Sequence, residues 1–256
     1  MTVVDAVLLG LVQGLTEFLP VSSSAHLVMG EELLGLNEPG VAFDVFVHGA
    51  TLLAVLIYFR RRIVELVRRG SWSYAGKILV GTIPAGLAGV LFETQLESTF
   101  ADLGLLVVTL VVTGALLLSL DAIPADRPET VEPSWWHAWW MGCAQMVSIL
   151  PGISRSGATI VTGRWLGLAP AAAAEFSFLL SVPAIAGAVV LQAGEIQRTG
   201  VGDGAAYLAA WIAAFGSGIA AIMLVFRTLA GRRFSLFGWY CLAAAAAFGA
   251  WVWLGA

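Results

Sequence analysis

The residues of this chain best suited to chemistry stand in two short stretches. The first, Gln13-Gly-Leu-Thr-Glu17-Phe-Leu-Pro-Val-Ser-Ser-Ser-Ala-His26, sets an amide and a carboxylate four residues apart, so that they share one helix face just before Pro20. Ser22, Ser23, Ser24 and His26 follow. The second, Pro151-Gly-Ile-Ser-Arg155-Ser-Gly-Ala-Thr159, sets a guanidinium between Ser154 and Ser156. An acid, an imidazole, hydroxyls and a guanidinium together suit a phosphate ester. Arginine's planar fork grips phosphate oxygens two at a time, and helix starts that follow a chain break offer free backbone N–H groups to an anion. Serine can bind phosphate or attack it, histidine can serve as acid, base or nucleophile, and glutamate can act as a base or hold a cation. A carboxylate beside a polyanion repels it unless it is protonated or bridged by metal. A divalent cation is therefore expected near Glu17.

The elements that must position these groups are membrane helices. The chain is 59% hydrophobic and 12% charged, whereas soluble domains run at about 25% charged residues. An all-α polytopic membrane protein, a single domain over 1–256, is the predicted fold class. Stretches 41–59, 77–92, 103–120, 172–192, 206–226 and 235–254 are apolar enough to span a hydrocarbon core, which takes roughly 20 residues of helix. Residues 2–36 and 135–168 are apolar at both ends but interrupted by the two motifs, and read as broken, re-entrant hairpins. Irregular backbone at membrane depth is tolerated where it is buried in protein or lines a wet cavity, so both breaks are expected to line one cavity.

Laid side by side without gaps, Gln13 matches Gln145, Ser22 matches Ser154 and Ser24 matches Ser156. The chain thus reads as pseudo-repeats 1–120 and 135–256 joined by a loop, 121–134, each repeat a hairpin plus three transmembrane helices. A hairpin returns to its starting side, so three crossings place the second hairpin on the opposite face and make the repeat inverted. Arg60, Arg61, Arg62, Arg68, Arg69 and Lys77 flank one connection, and Arg227, Arg232 and Arg233 flank another. The positive-inside rule puts both in the cytoplasm, loops 93–102 and 193–205 outside, and the mouth of the first hairpin at the outer face. The acidic loop 121–133 also falls inside, which the rule tolerates because carboxylates contribute little.

Other residues read more plainly. A net charge of −4, with basic residues confined to short loops, excludes a nucleic-acid binder. Cys143 and Cys241 are far apart in apolar segments and read as packing residues. Asp5 and Glu17 bracket the first apolar stretch, which lacks a basic leader, so it is not expected to be a cleaved signal peptide. Trp135, Trp136, Trp139 and Trp140 form an interfacial belt. His48 and Glu175, early in the spans that follow the hairpins, are secondary site candidates or packing groups. Asp44 is expected at a helix start facing water, and Glu93, Glu97 and Asp102 in a solvated outer loop.

The two motifs resemble those of the undecaprenyl-diphosphatase family of bacitracin-resistance type, as do the stretches FDVFVHGATLLAV from Phe43, TIPAGLAGVLF from Thr82 and AAEFSFLLSVPA from Ala173. The resemblance implies hydrolysis of polyprenyl diphosphate to polyprenyl phosphate and inorganic phosphate at the plasma membrane, recycling a lipid carrier for cell-wall or surface glycan assembly. It implies two re-entrant hairpins in an inverted repeat, and dependence on Mg2+ or Ca2+. The family's (E/Q)xxxE motif falls on Gln13 and Glu17, its catalytic histidine on His26, and its PGxSRSxxT motif on Pro151 through Thr159. Its serine-rich turn falls on Ser22 and Ser23, with Ser23 the candidate nucleophile by analogy and His26 or water the alternative attacker. By the same analogy Ser22, Ser24, Ser154, Arg155, Ser156 and Thr159 bind phosphate, and Glu17 with Gln13 faces the metal. This sequence departs from the pattern at Gln13, where some members carry glutamate; at Ser24-Ala25, where threonine-glycine is common; and at His48, often glutamine. The alternative is a flippase that carries polyprenyl phosphate through the same pocket, needing Arg155 but no nucleophile. A third reading is a structural membrane partner with a vestigial site. A homodimer is among the assemblies the sequence leaves open.

Overall fold

The computed structural model describes residues 1–36, 41–92, 99, 102–124, 126–199, 203–230 and 233–254. Glu93, Glu97, Arg232 and most of the connections 93–102 and 193–205 lie outside these residues or outside their described side chains. Eleven helices are described: α1 Val3–Phe18, α2 Ser23–Leu33, α3 Val41–Tyr58, α4 Arg60–Arg68, α5 Trp72–Leu91, α6 Leu103–Leu118, α7 Trp135–Val147, α8 Arg155–Trp165, α9 Pro170–Thr199, α10 Gly204–Ala230 and α11 Leu236–Leu254. Five of them are long and apolar enough to cross a membrane, and a sixth span results if α3 and α4, bent by 60° at Phe59, count as one. The fold is that of a multi-pass helical membrane protein.

Each break has a local cause. α1 opens on a capping box in which Thr2 accepts from the Asp5 backbone N–H and the Asp5 carboxylate accepts from Thr2. It ends at Phe18 because Pro20 disfavours a helical residue before it, and Leu19 is extended at φ −62°, ψ 142°. Ser22 then adopts φ 72°, the one non-glycine positive φ among the described residues, and its hydroxyl caps α2 by accepting from the Ala25 N–H. In the second hairpin Gly152 turns the chain at φ 88°, and Ser154 caps α8 by accepting from the Gly157 N–H at 3.1 Å.

Two expectations about boundaries change. The stretch 60–76, read as a loop, holds α4 and the first turn of α5, which begins at Trp72 rather than 77. The segment Trp72-Ser-Tyr-Ala-Gly-Lys77 is too polar to register as apolar, yet nothing in it breaks a helix. The helix expected over 172–192 runs Pro170–Thr199. Within loop 121–134, Thr130 bridges Leu168, tying the loop to the α8–α9 turn.

The halves exchange partners. α1 packs on α10 while α7 packs on α5, α3 meets α9, and α6 meets α11. Glycines permit the closest approaches: a Cβ on Gly10 would lie 2.3 Å from the Ala210 carbonyl oxygen, and one on Gly142 would lie 2.2 Å from that of Gly81. Small residues allow such backbone contact where lipid supplies no hydrophobic drive for helices to associate.

Candidate active site

Both hairpin breaks meet at one place. The Gly152 N–H donates to Ser24 Oγ at 3.3 Å, and Ser156 Oγ donates to the Leu19 carbonyl at 3.1 Å. The second turn is braced from behind by α6. Thr109 donates to the Pro151 carbonyl at 2.6 Å; Thr113 donates to the Gly152 carbonyl at 2.9 Å and accepts from the Ser154 N–H at 3.0 Å. From α11, the Cys241 thiol reaches the Pro20 carbonyl at 3.7 Å.

At the junction the buried carboxylate of Glu17 accepts hydrogen bonds from three residues on three elements, with a histidine of a fourth close by. Arg155, at the start of α8, donates Nη2–H to Oε1 at 2.5 Å. Ser23, at the start of α2, donates its hydroxyl to Oε2 at 2.7 Å, and Gln13, one turn back on α1, donates Nε2–H to the same oxygen at 3.1 Å. His48 on α3 donates its Nδ1–H to the Asp44 carbonyl at 2.7 Å, which aims Nε2 at Glu17 Oε2, 3.8 Å away. A carboxylate and a guanidinium at this depth need such pairing, because an isolated buried charge costs several kcal/mol.

Two buried atoms here have no hydrogen-bond partner: Arg155 Nη1 and Gln13 Oε1. An unmade buried hydrogen bond costs about 1–3 kcal/mol, so the guanidinium N–H and the amide oxygen at this junction each have the capacity to take one more partner. Gln145, the counterpart of Gln13, is also buried with both amide atoms unpartnered.

The remaining predicted residues are distributed around this core. Ser22 and Ser154 act as helix caps, each 3.2 Å from its neighbour hydroxyl, Ser24 and Ser156 respectively. Thr159 is fully buried and its hydroxyl is taken up by Ser177 at 2.6 Å and the Arg155 carbonyl at 2.7 Å. His26 is bonded to other groups than Glu17: Nδ1 lies 2.8 Å from the Ser22 carbonyl and Nε2 lies 2.8 Å from the Tyr240 hydroxyl. Glu175 sits apart from Glu17, accepting from Arg62 Nε at 2.8 Å and from the Tyr74 hydroxyl at 3.4 Å, and pins α4 to α9. Sequence reasoning missed Thr109, Thr113, Ser177 and Tyr240. Hydroxyls four residues apart in the otherwise apolar α6 were the one available signal.

Among the described residues no group of three or more His, Cys, Asp or Glu could hold a metal ion. One carboxylate and one unpartnered amide oxygen do fit a hard cation such as Mg2+, which typically binds through one or two carboxylates, water and substrate phosphates.

Residues 6–247 match the family described as bacitracin resistance protein BacA. The chain is similar to the undecaprenyl-diphosphatase of Methanobrevibacter smithii, 40% identical over 94% of each chain. It is 39% identical to that of Geobacter sulfurreducens, over 96% of this chain and 97% of the relative. To that of Salinibacter ruber it is 41% identical, over 94% and 96% respectively.

Proposed function

This chain belongs to the bacitracin resistance protein BacA family, and we propose that it hydrolyses undecaprenyl diphosphate to undecaprenyl phosphate and inorganic phosphate. Relatives that carry the name undecaprenyl-diphosphatase over nearly their whole length support the reaction. One observation carries its assignment to this site: Ser23 Oγ donates to Glu17 Oε2 at 2.7 Å while Arg155, on the facing hairpin, holds the other carboxylate oxygen and keeps Nη1 free. That is a nucleophile with its base beside an anion clamp.

In this reading Arg155 and the N–H groups at the starts of α2 and α8 bind the terminal phosphate. Ser23 Oγ attacks its phosphorus, Glu17 takes the hydroxyl proton, and the bond to the bridging oxygen breaks to release undecaprenyl phosphate. Water then cleaves the phosphoserine, freeing inorganic phosphate and restoring Ser23. His26, on the first turn of α2, handles a proton through Nε2. A divalent cation held by Glu17, Gln13 Oε1 and phosphate oxygens would neutralise charge on the transferring group. Positioning and charge stabilisation account for most of the rate. The exchange of packing partners between halves supports an inverted repeat. The arginines of α4 support a cytoplasmic α3–α5 connection, and with it a site open to the outer face of the plasma membrane. No observation favours the flippase over this reading.

The test is phosphate release from undecaprenyl diphosphate by purified protein in detergent, with and without chelator, beside Ser23→Ala and Glu17→Ala. Cation-dependent release, abolished in both variants, with labelled phosphate trapped on Ser23, is expected. Unchanged release by Ser23→Ala, or label on His26, overturns the serine route.

A further inference from the structure

We infer that Tyr240, on α11, is the positioning residue of His26, stacking on its neutral ring and donating to Nε2 while the Ser22 carbonyl keeps the proton on Nδ1. The inference rests on the reading of His26 as a proton-handling group in the hydrolysis.

The geometry leaves one assignment for the neutral ring. Nδ1 lies 2.8 Å from the Ser22 carbonyl, an atom that can only accept, so Nδ1 carries the hydrogen. Nε2 is then bare, and the Tyr240 hydroxyl 2.8 Å away is its donor. The rings also stack, with centroids 5.6 Å apart and planes 12° from parallel, so the tyrosine fixes the orientation of an imidazole whose tautomer the Ser22 carbonyl has set. The Ser22 carbonyl is itself rigidly aimed, because Ser22 sits at φ 72° and that carbonyl also accepts the His26 N–H at 3.3 Å. Cys241, the next residue on α11, touches Pro20, so two consecutive side chains of the last helix grip the first hairpin, one at its break and one on the helix that follows. With both ring nitrogens engaged, His26 acts through Nε2 in exchange with the tyrosine hydroxyl and not as the nucleophile. A histidine's second hydrogen bond commonly sets which nitrogen is available for chemistry.

The experiment pairs a spectrum with kinetics. In protein labelled with 15N-histidine, Nε2 of His26, assigned through His26→Gln, is expected at the position of an unprotonated, hydrogen-bonded nitrogen. Tyr240→Phe, which keeps the stacked ring and leaves Nδ1–H on the Ser22 carbonyl, is expected to move Nε2 to the position of an unprotonated nitrogen without a hydrogen bond and to lower kcat about 5- to 10-fold with KM within twofold, as the loss of one orienting hydrogen bond implies. Tyr240→Leu, which removes the stack too, is expected to fall further. A protonated Nε2 in the unaltered protein overturns the inference, as does Tyr240→Phe with both spectrum and kcat unchanged. Full turnover by His26→Gln removes the proton role from His26 itself and leaves the tautomer to be judged on its spectrum, so the two failures are distinguishable.

Discussion

Aligned on Gln13 and Gln145, the two hairpins repeat their small and hydroxyl residues and differ at their charged ones. Gly10 and Gly142 both meet a neighbouring backbone, Ser22 and Ser154 both cap a helix, and both capping hydroxyls lie 3.2 Å from the serine two residues on. Ile149, however, stands where the first hairpin has Glu17, Arg155 where it has Ser23, and Ala158 where it has His26. The first hairpin therefore holds the base and the nucleophile, and the second holds the anion clamp. Neither is a site by itself: the frame was kept in both halves, and the chemistry was divided so that opposite charges meet at the junction.

The largest expected effect comes from spoiling that division. Arg155→Lys keeps the charge but loses the planar fork that lets one nitrogen hold Glu17 while the other faces phosphate. A fall in kcat/KM of about 100-fold or more is expected, read as phosphate release with protein shown to be folded. Near-normal turnover would remove Arg155 from the clamp. Next are the repeated glycines. Gly10→Ala and Gly142→Ala each drive a methyl into a backbone carbonyl that cannot rotate away, and each is expected to cost about 3 kcal/mol, near the top of the overpacking range. Gly86→Ala, where a Cβ meets nothing within 4 Å, serves as the control. Thermal midpoints in detergent should fall alike for the first two and hold or rise for the third; a large inequality between Gly10 and Gly142 would break the equivalence of the halves.

What the sequence showed of this arrangement follows from how local each signal is. The broken hairpins, the helix caps and the Gln13–Glu17–Ser23 cluster arise within one turn or one break, where spacing fixes geometry. Arg155 was also legible, because an arginine in a proline-glycine break at membrane depth has few other uses. His48 stood as a secondary site candidate, but Tyr240 reaching His26 across 214 residues, and Thr109 and Thr113 behind the second break, were not legible. Each of those contacts depends on how a helix is rotated against a distant one. α6 and α11 are apolar all round, so periodicity names no inward face. Glu175 was legible only as an alternative, a secondary site candidate or a packing group, because its partner Arg62 lies on α4, a helix the sequence had read as a loop.

The smallest effects compare how the two turns are braced. Each is supported by a helix of the other half: α6 supports the second turn, through the Thr113 hydroxyl on the Gly152 carbonyl, and α11 supports the first, through the Cys241 thiol on the Pro20 carbonyl. The hydroxyl makes two bonds, donating to Gly152 and accepting from the Ser154 N–H, whereas the thiol makes one long contact and is a weak donor. Thr113→Val, nearly isosteric, should therefore leave a buried carbonyl and a buried N–H unpaired and cost about 2 kcal/mol. Cys241→Ala should cost about 1 kcal/mol or less, because a small apolar residue replaces a group that behaved largely as one. Denaturation midpoints decide between these outcomes, and turnover measures the link to function. If the second turn is held mainly by Thr113, that variant should lose activity along with stability as Arg155 drifts from Glu17, while Cys241→Ala keeps both. Equal losses in the two variants would mean that the thiol braces the first turn as firmly as the hydroxyl braces the second.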